Sequence, residues 1–230
     1  MKIIPVIDIL SARAVRAYRG DRDGYRPLES ALCPRPDPAG VLQGYLGLFP
    51  FTTIYIADLD AILGRGDNRD VLGELVRRFP GVEFWLDDGN SGADFPREAR
   101  LHTVIGSETG IAADAVGDAA GANPDTVLSL DFNQEGLLGD ADLLEQPERW
   151  PGRCIVMALH RVGSGEGPDT ALLASLRARA PDREWYAAGG IRHAEDLHAL
   201  AEAGAAGALI ASALHNGTIT RFDLENLEIR

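Results

Sequence analysis

Three acids close otherwise apolar runs. Asp8 follows Ile3-Ile4-Pro5-Val6-Ile7, Asp58 follows Ile54-Tyr55-Ile56-Ala57, and Asp131 follows Val127-Leu128-Ser129-Leu130. A carboxylate there loses water and needs a hydrogen bond or a charged partner. Two such acids on either side of a ligand can serve as general acid and general base. Asp8 and Asp131 are the expected catalytic pair, although capping of a neighbouring loop or helix is the competing role for each. His160, after the run ending Met157-Ala158-Leu159, has the right pKa range for proton transfer, and a packed or solvated side chain is its alternative. Ser164 in the glycine-rich loop at 163–167, Arg16 and Arg19 in a hairpin at 12–19, and Asp58 and Asp88 are the expected ligand contacts.

These residues need elements to hold them. Near-continuous apolar runs at residues 3–9, 52–59, 82–86, 101–106, 126–132, 153–159, 184–188 and 206–210 read as strands covered on both faces. Apolar residues at helical spacing mark helices at 37–48, 68–79, 169–179 and 193–203. Strand then helix, repeated along the chain, means parallel βαβ units. Eight of them predict an α/β fold, a closed (β/α)8 TIM barrel, with an open doubly wound sheet as the alternative. The third and fifth crossovers look short or poorly helical, so the barrel is expected to be irregular there. No Pro- or Ser-rich linker divides the chain, which predicts one domain over 1–230. Leu63-Gly64-Arg65-Gly66-Asp67-Asn68 and Trp85-Leu86-Asp87-Asp88-Gly89 are echoed 101 residues later by Ser164-Gly165-Glu166-Gly167-Pro168-Asp169 and Tyr186-Ala187-Ala188-Gly189-Gly190, as in two half-barrels.

In a barrel, chemistry sits at the C-terminal ends of the strands. Asp8 and Asp131 then lie half a barrel apart and face each other across the mouth. Ala188-Gly189-Gly190-Ile191 and Ile210-Ala211-Ser212-Ala213 end the last two strands. Small residues there let backbone N–H groups approach an anion, so Gly189, Gly190, Ala211 and Ser212 form the expected phosphate site.

Composition limits the partners. Of 230 residues, 35 are Asp or Glu and 22 are Lys or Arg, a net charge of -13. Nucleic acid is therefore not expected as a partner, because that affinity comes from clustered bases. A local pocket for a small phosphate is still allowed, and the remaining acidity suits a solvated surface. No apolar run reaches the ~18–20 residues of a membrane helix, so no membrane partner is expected. Cys33 and Cys154 lack metal-ligand spacing, so no metal or redox cofactor is expected and Cys154 reads as a buried structural thiol. The N-terminus lacks a signal-peptide layout, which predicts a cytoplasmic protein. A small molecule is the expected partner, and nothing in the sequence marks an oligomeric state.

The chain resembles the histidine-biosynthesis barrel family (HisA/HisF). The resemblance rests on Ile3-Ile4-Pro5-Val6-Ile7-Asp8-Ile9, Ala14-Val15-Arg16, Arg19-Gly20-Asp21, Ile56-Ala57-Asp58-Leu59-Asp60, Ser129-Leu130-Asp131, Gly167-Pro168-Asp169, Gly189-Gly190-Ile191-Arg192 and Ala211-Ser212-Ala213-Leu214. The isomerase of that family performs an Amadori rearrangement on an aminoaldose phosphate. The resemblance implies that Asp8 removes the C2 proton and Asp131 protonates the sugar ring oxygen. It also implies a distal phosphate at Gly189, Gly190, Ala211 and Ser212.

Several positions depart from the family. Its first-half phosphate turn, Gly-Gly-Gly-Ile, is Asp87-Asp88-Gly89-Asn90 here, and its Gly-Thr-Ala turn is Ser107-Glu108-Thr109. A carboxylate about 5 Å from a phosphate dianion costs roughly 6 kcal/mol at an effective dielectric of ~20. A second phosphate is therefore not expected. The family's strand-six Asp-x-Asp is Ala158-Leu159-His160. The stretch from Ile54 to Ile62, with Trp85-Leu86-Asp87-Asp88-Gly89, resembles a divergent subgroup found with genes for the one-carbon carriers methanofuran and tetrahydromethanopterin. The resulting expectation is an isomerase or lyase whose ligand carries at most one phosphate. A non-catalytic pterin or phosphosugar carrier, and the histidine-pathway isomerase itself, are the alternatives.

Overall fold

The structure is a computed structural model that describes residues 1–89 and 100–227. Ten strands form one sheet: β1 (Lys2–Leu10), β2 (Arg13–Arg16), β3 (Arg26–Pro27), β4 (Thr53–Asp58), β5 (Glu83–Asp87), β6 (Leu101–Gly106), β7 (Val127–Phe132), β8 (Arg153–Ala158), β9 (Glu184–Ala188) and β10 (Gly207–Ile210). Eight of them, β1 and β4 to β10, pair in parallel in chain order, and β10 returns to β1 through Lys2↔Gly207 to Pro5↔Ile210. The sheet is a closed (β/α)8 barrel. Strands β2 and β3 form an antiparallel ribbon that leaves β1 at its C-terminal end.

The described helices are α1 (Pro38–Leu48), α2 (Leu59–Ile62), α3 (Arg69–Arg78), α4 (Ala113–Ala122), α5 (Asp142–Glu145), α6 (Thr170–Arg179), α7 (Ala194–Glu202), α8 (Ser212–His215) and α9 (Arg221–Leu227). Asp37 and Asp169 cap α1 and α6, accepting from Gly40 N (2.9 Å) and Leu172 N (3.0 Å). Helix α3 and strand β5 recur at one offset as α6 and β9, as the half-barrel repeat requires. The fifth crossover holds only α5 and a 3-10 turn at Pro147–Arg149, hence the irregularity expected there. The third crossover runs largely through residues outside the described ones.

Strand alternation sorts the side chains into two cores. Ile4, Tyr55, Trp85, Val104, Val127, Ile155, Tyr186 and Leu209 fill the barrel interior. Ile7, Ile54, Ile56, Phe84, Leu86, Leu128, Leu130, Val156 and Trp185 point outward and pack beneath the helices. Inside, the rings of Trp85 and Tyr186 meet edge to face at 4.8 Å between centroids, closing the barrel below the mouth. No helix among the described residues is long and apolar enough to cross a membrane.

Candidate active site at the barrel mouth

A cavity of about 260 Å³ opens at the C-terminal ends of the strands. Four strand steps separate β1 from β7 in either direction round the ring, so Asp8 and Asp131 stand on opposite walls. Both line the cavity. Alternation aims them there: Asp8 shares the parity of interior Ile4, and Asp131 that of interior Val127.

Asp131 is buried and well supplied with donors. Its carboxylate accepts from Ser129 Oγ (2.6 Å), Glu108 N (3.2 Å) and Ser107 Oγ (3.4 Å). Burial, aided by the charges of Glu108 and Asp87, still pushes its carboxyl up to about 8. Asp8 opens onto the cavity. Its enclosed position raises it to about 7, against the pull of the Arg22 guanidinium. Both groups therefore titrate near neutrality, where a proton-transfer residue is most effective.

Sequence reasoning had not placed Tyr55, Arg22, Tyr25 or His215 here. All four line the cavity. Of the three acids expected to exclude a second phosphate, Asp87 and Glu108 line it and Asp88 does not. Tyr55 Oη donates to Asp87 Oδ2 (3.1 Å) and Gly89 N to Asp87 Oδ1 (3.2 Å), while burial raises Asp87 to about 7. Arg22 reaches across the mouth to Glu108 (2.5 Å). The segment after β2 is thus a strap. It is also held at the far rim, where Arg19 N donates to Val162 O (2.8 Å) and the Arg19 guanidinium meets Glu166 (2.6 Å). Tyr55 and Asp87 were legible from the parity they share with interior neighbours. Arg22 carried no comparable signal.

Of the expected ligand residues, Arg16, Gly189, Gly190, Ala211 and Ser212 line the cavity. At Gly190 φ is +82°, and a Cβ would stand 2.2 Å from Gly167 O. The remaining four, and the proton-transfer candidate His160, are placed elsewhere. Asp58, on the outward parity of Ile54 and Ile56, caps α2 at Ala61 N (3.2 Å) and accepts from Asn68 N (2.8 Å) and Asn68 Nδ2 (2.6 Å). Asn68 Oδ1 in turn accepts from Ala12 N (2.8 Å), and Asp60 from Ser11 N (2.6 Å), so this network anchors the turn between β1 and β2. Asp88, just past the end of β5, is buried but does not line the cavity. His160 lies in a 3-10 turn with Nδ1 3.4 Å from Phe132 O. Ser164 donates to Arg161 O (2.9 Å), shaping its own loop. Arg19 serves the strap. Among the described residues, no group of three or more His, Cys, Asp or Glu side chains is arranged to hold a metal ion.

A family model described as "Histidine biosynthesis protein" matches residues 2–220. The chain is 32% identical over 232 residues to an uncharacterized protein of Methanocaldococcus jannaschii, covering 99% of this chain and 97% of that one. It is 30% identical over 250 residues to an imidazole-4-carboxamide isomerase of Deinococcus radiodurans, covering 95% of each. It is also 30% identical over 246 residues to phosphoribosyl isomerase A of Mycobacterium leprae, covering 93% of this chain and 92% of that one.

Proposed function

Because the chain belongs to the histidine biosynthesis protein family, we propose that it is an acid–base enzyme, an isomerase or lyase, acting on a small ligand with at most one phosphate. One observation carries this reading: Asp8 and Asp131 face the same cavity from opposite strands, with carboxyls that titrate near neutrality. Asp131 gives a proton to a ligand oxygen and Asp8 takes one from carbon, so the step is proton-neutral. The phosphate docks against Gly189, Gly190, Ala211 and Ser212, where glycine lets the backbone come close. Asp87 at the other end opposes a second dianion, while Glu108 beside it is paired with Arg22. The finer reading puts the ligand in one-carbon carrier biosynthesis, following the resemblance of the Ile54 and Trp85 stretches. The acidic end then accepts hydrogen bonds from amino groups, as on an aminopterin.

A thermal-shift panel of phosphorylated aminosugars, the histidine-pathway bisphosphate and reduced pterins tests the ligand class, because a ligand of the folded state raises the melting point. Turnover is then assayed in wild type, Asp8→Asn and Asp131→Asn. Both variants should fold and lose turnover. Full activity in both would overturn the assignment, and ligand affinity without turnover in any form would make the chain a carrier. The isomerases at 30% identity over most of both chains favour a second reading, the histidine-pathway reaction itself. Rescue of an isomerase-deficient histidine auxotroph would establish it.

A further inference from the structure

Strands β5, β6 and β7 are neighbours, and the middle one ends in Gly106. With no side chain there, acids from the two flanking strands extend toward each other. Asp87 Oδ2 and Asp131 Oδ2 each lie 3.3 Å from the point a Gly106 Cβ would occupy. Both residues are buried, at 4% and 3% exposure. Glu108 stands on the same side, and in a buried site the charge of one such acid disfavours ionisation of the other.

We propose that Asp87 is a positioning residue for the proton of Asp131: together with the burial of Asp131 and the charge of Glu108, its carboxylate, across Gly106 and held by the Tyr55 hydroxyl, keeps Asp131 protonated at neutral pH, so that Asp131 enters the reaction as an acid. The inference rests on the catalytic reading of Asp131 given above. Tyr55 and Gly89 N both donate to Asp87, which favours its charged form. Among the described residues, the other charged or titratable groups facing the pair are Asp8 from β1, Arg22 from the strap, Glu108 beyond β6 and Asp88 beside Asp87; β8 contributes Met157. Arg22 is engaged by Glu108, and its charge also reaches Asp87. Asp87 itself neither gains nor loses a proton during turnover. It acts only by its charge.

The test is a carbon-13 NMR titration of the full chain, labelled at the Asp carboxyls, without ligand, from pH 4 to 10. In wild type the Asp131 resonance should follow a two-step curve that mirrors a step in Asp87, with its main midpoint above neutrality. In Asp87→Asn that midpoint should fall by about one pH unit or more, a tenfold loss of proton affinity. A single-step Asp131 curve whose midpoint does not move in Asp87→Asn would overturn the proposal. If Asp87→Asn does not fold, the wild-type curve decides: two coupled steps support the proposal, and a single step in the usual carboxylate range defeats it. Turnover plays no part in this readout. Coupled titration without turnover would therefore sink only the catalytic reading, and uncoupled titration with turnover only this one.

Discussion

The Tyr45 hydroxyl and His215 Nε2 meet at 2.7 Å, joining α1 to α8 across 170 residues of chain. Tyr45 gives its own proton to Val6 O (2.8 Å), so it accepts from Nε2–H. Nδ1 is then the acceptor for Ser30 Oγ (2.9 Å). This chain of bonds links the strand of Asp8, two residues beyond Val6, to the short helix that begins at Ser212. The two neighbouring strands at the barrel's closing seam are thereby registered against each other at the mouth.

Tyr45→Phe should cost about 1–3 kcal/mol, since it leaves Nε2–H and the Val6 carbonyl without their partner. Urea denaturation at neutral pH measures this. An unchanged midpoint would mean that water replaces the hydroxyl.

Burial lowers His215 to about 4, well below the ordinary histidine value of about 6.5. The unfolded chain therefore takes up a proton between those values that the folded chain refuses. The contribution of His215 is fully present above about pH 6.5 and fades as pH falls toward 4, by on the order of 3 kcal/mol. His215→Gln should flatten this part of the stability curve relative to wild type.

Asp131 has the opposite sign. Its folded carboxyl is raised to about 8, so the folded chain keeps a proton that the unfolded chain releases from about pH 4 upward. Wild type loses stability from this residue as pH rises through that window. Asp131→Asn should become more stable relative to wild type between pH 4 and 8, by on the order of a few kcal/mol, while losing turnover. Parallel denaturation curves at both pH values check this.

Arg22 is the cation that holds Asp8 down, and it also neutralises Glu108. In Arg22→Gln the Asp8 carboxyl should rise above about 7. The limb of the pH–rate profile that reports the base should then move to higher pH. A profile superimposable on wild type would remove Arg22 from the electrostatics of the mouth.

Asp58→Ala should destabilise by about 2–4 kcal/mol, because it removes a helix cap and strands two donors of buried Asn68. Since Asp58 does not line the cavity, kcat well below the lowered melting point should hold near the wild-type value. Gly190→Ala is expected to do the reverse. Its Cβ meets backbone at 2.2 Å and its φ is +82°, so the turn must move. The melting-point shift given by a monophosphate ligand should vanish there.

The order and approximate bounds of the barrel strands could be read directly from the chain. Strands buried on both faces are short apolar runs, and the intervening helices carry their apolar residues at helical spacing. Runs at 101–106 and 184–188 coincide with β6 and β9. The inward aim of Asp8 and Asp131 was equally local, because it depends only on counting by two from Ile4 and Val127. The same count turns Asp58 away from the mouth and Asp87 toward it, where residue type alone treated these acids alike. Only the closed ring decided the rest. Asp87 approaches Asp131 over Gly106 because β5, β6 and β7 lie side by side, and Arg22 meets Glu108 and His215 meets Tyr45 because the ring, closed by β10 on β1, brings distant loops onto one rim. The protonation state of the acids followed from that closure, since it depends on how much water and which charges the assembled mouth leaves around each carboxylate.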